Sequence, residues 1–265
     1  MKVKQLSGLS PRDRYEIGME NFAKNEVTIE FSWSDRNSGN LIKRTEGPGG
    51  EILQWGKMLD KIKEKIKKIQ SGNYVITKRF EKLIFNPIIN KEAIQHFEDV
   101  NNVVLPEDYK EFIQIIGNGG VGPGIGILPL DNDKSIIDPR ILSEEGEDKI
   151  LLSENFPYCK AWNDDYFYDA LESNANNLDV LSRNYFSTKH ISGSICFCDL
   201  GCGELFLLVL TGPEAGNVWY DGRGNYGGIF PYSYKEKERV SFLEWYDIWL
   251  TEILDKVPIV ERDFW

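Results

Sequence analysis

Histidine is nearly absent from this chain: His96 and His190 are the only two among 265 residues. Any Ser/His or Cys/His nucleophilic pair would have to use one of them. His96 lies in Gln95-His-Phe97, a helical stretch where packing or solvent exposure suits it better than proton transfer. Cysteine is scarce too, with Cys159, Cys196, Cys198 and Cys202. The first residues, Met1-Lys-Val-Lys-Gln-Leu6, lack the apolar core of a secretory signal, so a cytoplasmic location and reduced thiols are expected. Cys196 and Cys198 should share one face of a strand, about 6.6 Å apart at Cα, which is awkward for a disulfide. Nothing approaches the roughly 18 apolar residues of a membrane span.

What is present is charge, unevenly spread. The net charge is −11. Residues 1–82 carry 17 Lys/Arg against 11 Asp/Glu, a net of +6, while residues 83–265 carry 14 against 31, a net of −17. Such acidity serves solubility, and it also repels nucleic acid and attracts basic proteins. Apolar residues make up 41%, enough for a packed core, and the length accommodates one large domain, or one of ordinary size plus a smaller module.

The chain divides near Phe85-Asn-Pro-Ile88, where proline stops any helix. Residues 1–85 form a basic extension. Val27-Thr-Ile-Glu-Phe-Ser-Trp33 and Leu41-Ile-Lys-Arg-Thr45 read as a hairpin around Asn37-Ser-Gly39, and Gly47-Pro-Gly-Gly50 as a break. From Ile52 to Gln70, Trp55, Leu59, Ile62, Ile66 and Ile69 share a helical face, with lysines on the rest. An amphipathic helix packed on a neighbour explains this segment without nucleic acid or membrane.

Residues 86–265 form the larger unit. Asn90 caps a helix through Ala93, Ile94 and Phe97. The next helix has Leu105, Tyr109, Phe112, Ile113 and Ile116 on its apolar stripe, Pro106 at its first position, and Gly117 to Gly120 as its stop. Ile125 to Leu130 reads as a strand, with Pro129 marking an edge or an end. Residues 131–190 hold short helices and long loops. Ser194–Cys198, Glu204–Leu210 and Asn217–Tyr220 are strands joined by short glycine-bearing links, so they should lie antiparallel. A last strand surrounds Ile229-Phe230. Ser241-Phe-Leu-Glu244 is a capping box that opens a final aromatic helix through Phe242, Trp245 and Trp249.

These motifs in this order resemble the SUKH superfamily. The resemblance rests on Leu105-Pro-x-Asp-Tyr-x-x-Phe-Ile113 with Asn118, Gly119 and Gly120, then Asp199-Leu-Gly-Cys-Gly-Glu204, Gly212-Pro-Glu-Ala-Gly-Asn-Val-Trp219 and Phe242 to Leu250. It covers residues 90–257. That superfamily takes in fungal cell-wall assembly regulators and many bacterial toxin-immunity proteins. The implied fold is α+β: a curved, mainly antiparallel sheet flanked by N- and C-terminal helices. The implied activity is protein binding without catalysis.

Leu105, Pro106, Tyr109, Phe112, Asn118, Gly119, Gly120, Gly201, Gly203, Gly216, Trp219 and Trp245 then read as scaffold residues. Gly201, Gly203 and Gly216 should take positive φ, and Trp219 should fill the core between sheet and final helix.

Chemistry-bearing constellations are thin. His190, Cys196, Cys198 and Cys202 offer four zinc ligand types in thirteen residues, but H-x5-C-x-C-x3-C matches no common zinc spacing, and buried strand thiols are the plainer account. No metal or cofactor is expected. Acid pairs select no reaction by spacing, and Gly222-Arg-Gly224 lacks the lysine and helix of a phosphate loop. A non-enzymatic binder is expected. Its partner, by the resemblance, would be a protein toxin, a basic nuclease domain, held at Asp131, Asp133, Glu144, Glu145, Glu147, Asp148, Trp162, Asp164 and Asp165. Aromatic anchors amid carboxylates suit such an interface. The same loop could equally pack on the sheet.

Overall fold

The structure is a computed structural model that describes residues 48–72, 74, 76, 82–140, 149–173 and 177–255. The hairpin expected over residues 27–45 lies outside the described residues. The helices are α1 (Pro48–Ser71), α2 (Lys91–Asn101), α3 (Glu107–Ile115), α4 (Asp165–Ser173), α5 (Leu178–Tyr185) and α6 (Phe242–Asp255). The strands are β1 (Gly126–Ile127), β2 (Ser194–Gly201), β3 (Glu204–Val209), β4 (Val218–Asp221) and β5 (Ile229–Pro231). Single 3₁₀ turns cover Thr188–Ile191 and Arg223–Asn225.

The five strands form one open sheet in the order β1-β2-β3-β4-β5, antiparallel throughout. This is the α+β class expected from the sequence. The β2–β3 link shows why neighbours in sequence are neighbours in space. Gly201 pairs with Glu204, leaving Cys202 and Gly203 as a two-residue loop with φ of 54° and 79°. Two consecutive positive φ values match the twist of the flanking strands. Gly203 meets this at no steric cost; Cys202, with its Cβ, does not.

The sheet is covered on both faces, which explains why Leu205-Phe-Leu-Leu-Val-Leu210 is a continuous apolar run and not an alternating one. Pairing places Cys196, Leu207 and Trp219 in one row across the sheet, and Phe206 and Tyr220 in another. The second row faces α6. Trp245 packs edge-on against Phe197 at 4.8 Å and Phe206 at 5.2 Å between ring centroids. The first row faces the excursion between β1 and β2: Trp219 meets Phe156 at 4.9 Å, with the Arg239 guanidinium 5.6 Å from its ring centre. Trp219 is fully buried, but on the side of the sheet away from the final helix, not between them. The two-residue period of a strand decides this, and glycine motifs around it carry no information on facing.

The cysteines also depart from expectation. A register shift between Cys196 and Cys198 places one extra residue in β2. Cys196 then neighbours Asp138, Arg140, Asp221 and Arg223, whereas the Cys198 thiol points to the Pro123 carbonyl at 3.6 Å and lies beside Tyr246. The bulge puts the two thiols on opposite faces. Burial pushes both thiols up, away from thiolate character.

The helical layer is built by α1, α3 and α6. Helix α1 begins at Pro48, within the expected glycine break, because proline is tolerated in a first helical turn. Leu59, Ile62, Ile66 and Ile69 are buried in the common hydrophobic core, and α1 packs along α6. On the same side Lys61 and Lys65 reach Asp247 of α6 at 2.7 and 2.6 Å. The lysine-rich face is thus partly a docking device. In α3, Tyr109 and Phe112 pack on Phe242 at 4.8 and 5.0 Å, and Pro106 sits one place earlier than expected, at the N-cap.

Helices α3 and α6 are tied together by Asp108, 3% exposed. Its carboxylate accepts the Leu243 N–H at 3.1 Å and the Tyr109 N–H at 2.9 Å, so α3 caps α6 across 135 residues. Within the expected capping box, Glu244 does accept the Ser241 N–H at 2.9 Å. Asp108→Ala should cost about 1–3 kcal/mol in urea unfolding, because it leaves the buried Leu243 N–H without an acceptor. Asp108→Asn, which keeps an acceptor, should cost less; equal losses would refute the capping role.

After α3 the chain turns back through Asn118, whose amide grips the Leu130 backbone at both ends: N–H to Oδ1 at 2.8 Å and Nδ2 to the carbonyl at 3.1 Å. Gly120 has φ of +124°, and a Cβ there would lie 2.6 Å from the Ile84 carbonyl. This close approach explains the Asn-Gly-Gly sequence without any ligand. Gly201 and Gly216 also hold positive φ, at 88° and 87°.

Candidate protein-interaction face

The residues expected at a binding face fall in three places. Glu144, Glu145, Glu147 and Asp148 lie outside the described residues. Asp131 and Asp133 form a turn after β1. Asp131 Oδ1 accepts the backbone N–H of Asp133 at 2.9 Å and of Lys134 at 3.0 Å; those two bonds hold its carboxyl below the usual range. Asp131 also borders a shallow cleft with Ile89, Ala93, Phe97, Leu130 and Asn132. Asp133 is exposed.

Trp162, Asp164 and Asp165 come together at the start of α4. Asp165 is the first residue of that helix. Asp164 supplies its cap, accepting the Phe167 N–H at 3.1 Å, which is the role that carboxylates favour at a helix start. Trp162 continues the sheet beyond β5: its N–H donates to the Ile229 carbonyl at 2.7 Å, and its carbonyl accepts the Ile229 N–H at 2.8 Å. Its half-buried indole stacks with His190 at 4.2 Å, Tyr158 at 5.2 Å and Tyr185 at 5.6 Å. Tyr185 in turn donates to Asn163 at 2.7 Å and accepts the Gly228 N–H at 3.2 Å. An aromatic platform bordered by carboxylates therefore sits at the β5 edge of the sheet.

Under this platform lies a buried ionic cluster that reading the sequence missed. Asp221 ends β4, and Arg223 follows in the 3₁₀ turn; both are 0% exposed. Arg223 makes a two-pronged contact with Asp221, Nε to Oδ1 at 2.9 Å and Nη2 to Oδ2 at 2.7 Å. Its Nη1 donates to the Tyr185 and Ser187 carbonyls at 3.0 and 2.9 Å, fixing the end of α5. Arg140 bridges Asp221 at 2.7 Å and Asp138 at 2.6 Å. Burial opposes charge on Asp221, yet Arg223 and Arg140 outweigh it and hold the carboxyl below its ordinary value. One signal was available: Asp221 is the sole charge in the strand Val218-Trp-Tyr-Asp221, and a charge in a buried strand needs a partner.

His96 is exposed on α2. Among the described residues, no three of His, Cys, Asp and Glu converge as metal ligands would. Nor is any described helix long and apolar enough to cross a membrane. The polar groups of this region are engaged in shaping loops around an aromatic patch. Fold and face together define an α+β scaffold with an open sheet and a loop-built face.

A family model described as SMI1 / KNR4 family (SUKH-1) matches residues 88–245, more than half of the chain. The chain belongs to that family, whose members are in general non-catalytic and bind proteins. No curated protein and no solved structure matches the chain.

Proposed function

We propose that this SUKH-domain chain is a bacterial immunity protein, neutralising a cognate toxin by direct, non-catalytic binding. The toxin would be a basic nuclease domain. The observation that carries the reading is the net charge of −17 over residues 83–265 in a family of protein binders. An acidic surface steers a cationic partner and covers the surface that would hold nucleic acid. Asp131, Asp133, Glu144, Glu145, Glu147, Asp148, Asp164 and Asp165 would supply charge, and Trp162 an aromatic anchor. Residues 86–265 would be the binding unit, with residues 1–85 as its basic extension. The action would be cytoplasmic.

Co-expression with toxins encoded beside this gene tests the reading, with growth rescue as the score. Asp131 holds a turn, and Asp164 and Asp165 start α4, so charge reversal belongs at Asp133, Glu144, Glu145, Glu147 and Asp148. Lysine at all five should slow association by about tenfold or more at low salt and flatten its salt dependence. Unchanged association kinetics would remove these acids from the interface. A second reading, a regulatory or scaffolding protein of the cell-wall-regulator kind, is favoured by the family whose model matches. Broad capture of partners with no rescue against any neighbouring toxin would favour it.

A further inference from the structure

His190 is held by both ring nitrogens, and the partners define its state. Nε2 lies 2.9 Å from the Asn184 carbonyl, which can only accept, so Nε2 carries the hydrogen. Nδ1 is then the acceptor for the Tyr158 hydroxyl. The two ring planes are nearly parallel, at 6°, and Trp162 stacks on both, at 23° to His190 and 19° to Tyr158. Through the Trp162–Ile229 backbone pair, this stack anchors the loop ahead of α4 to the sheet edge.

A proton added to Nδ1 places an N–H against the phenol O–H, so the hydroxyl must turn away or the contact must open. The groups around the ring act in both directions: burial and Arg223 oppose the charge, while the Asn184 carbonyl, Asp221 and Asp164 favour it. Arg223 approaches from the turn after β4, and its partner Asp221 is already shared with Arg140. Asp164 faces the ring from the start of α4, where it is engaged as a cap. The Trp162 face would favour an imidazolium. Burial first, and Arg223 next, nevertheless push His190 below its ordinary value.

We propose that Tyr158, His190 and Trp162 form a proton-operated latch: it is closed while His190 is neutral, and protonation frees the segment 158–164 from the β5 edge. The latch belongs to the fold and stands whatever the face binds.

The test uses the full chain, with His190 titration by NMR and amide hydrogen exchange between about pH 7.5 and pH 5. The His190 midpoint should lie below 6.5. Protection of the Trp162 and Ile229 amides, corrected for intrinsic exchange, should fall by at least about threefold across that range. Leu207, in central β3, should keep its protection. His190→Gln should abolish the dependence. Tyr158→Phe removes the donor that favours the neutral ring, so it should raise the midpoint, and it serves if the glutamine variant does not fold. A midpoint at or above 6.5, or Trp162 and Ile229 protection that tracks Leu207, would overturn the latch.

Discussion

Asp221→Ala should lower the free energy of unfolding by about 3–5 kcal/mol, the range for breaking a buried ion pair from one side. The Arg223 guanidinium is 0% exposed. Without Asp221, its nearest carboxylate among the described residues is Asp138, at 3.9 Å. The Tyr185 and Ser187 carbonyls still accept from Nη1, but they do not neutralise a buried charge. Domains of this kind are stable by about 5–15 kcal/mol, so the urea midpoint should fall steeply. A double variant, Asp221→Leu with Arg223→Met, should recover most of the loss, because removing both partners removes the unpaired charge. A loss below about 1 kcal/mol for Asp221→Ala would show that water reaches the cluster.

The same residue sets an acid limit. Its carboxyl is held below the ordinary value of 3.8 by the two arginines. The stabilisation is therefore complete above 3.8 and is lost as pH falls through the lower folded value. His190 acts in a separate window. Its folded value is below 6.5, so the unfolded chain binds the proton more readily, and stability declines as pH drops below 6.5. Acid unfolding should accordingly begin with a shallow slope from His190 and steepen with Asp221. His190→Gln should remove only the first part.

Trp245→Ala should cost about 3–5 kcal/mol. The side chain is 2% exposed and joins three elements, with Phe197 in β2, Phe206 in β3 and Phe242 in its own helix within 5.8 Å of ring centres. The bulged strand cannot close the resulting void without moving Phe197, so relaxation should be partial. Near-UV circular dichroism should weaken, while the denaturant slope stays constant. Trp245→Phe should lose less, since the edge-to-face contacts can partly re-form. An alanine variant as stable as the wild type would mean that α6 is not held by this contact.

Much of the architecture was legible because periodicity and chain punctuation are local. Asn90 accepts the Ala93 N–H at 2.8 Å as a cap should, Tyr109 and Phe112 share the buried stripe of α3, and short glycine links produced antiparallel neighbours. The sequence leaves Trp162 open between an interface anchor and a residue packed on the sheet, and its indole is stacked and half buried. What escaped notice was long-range. Arg223 meets Tyr185 and Ser187 across 38 and 36 residues, Arg140 meets Asp221 across 81, and Tyr158 meets His190 across 32. Nothing in a linear pattern announces such pairs, because each half reads as an ordinary surface charge or loop aromatic.

Outside residues 131–190, the sequence by itself determined the order of helices and strands from residue 52 onward, and it determined the acidity of residues 83–265 and the family, since these depend on hydrophobic period, turn residues and summed charge. The tertiary structure alone decided which face each strand residue serves. One extra residue in β2 separates Cys196 from Cys198, and the strand period sends Trp219 away from α6. It also decided which charges are buried together: Asp221 and Arg223 meet Asp138 and Arg140 only once the excursion before β2 folds over the sheet, where low polarity turns distant side chains into obligatory partners.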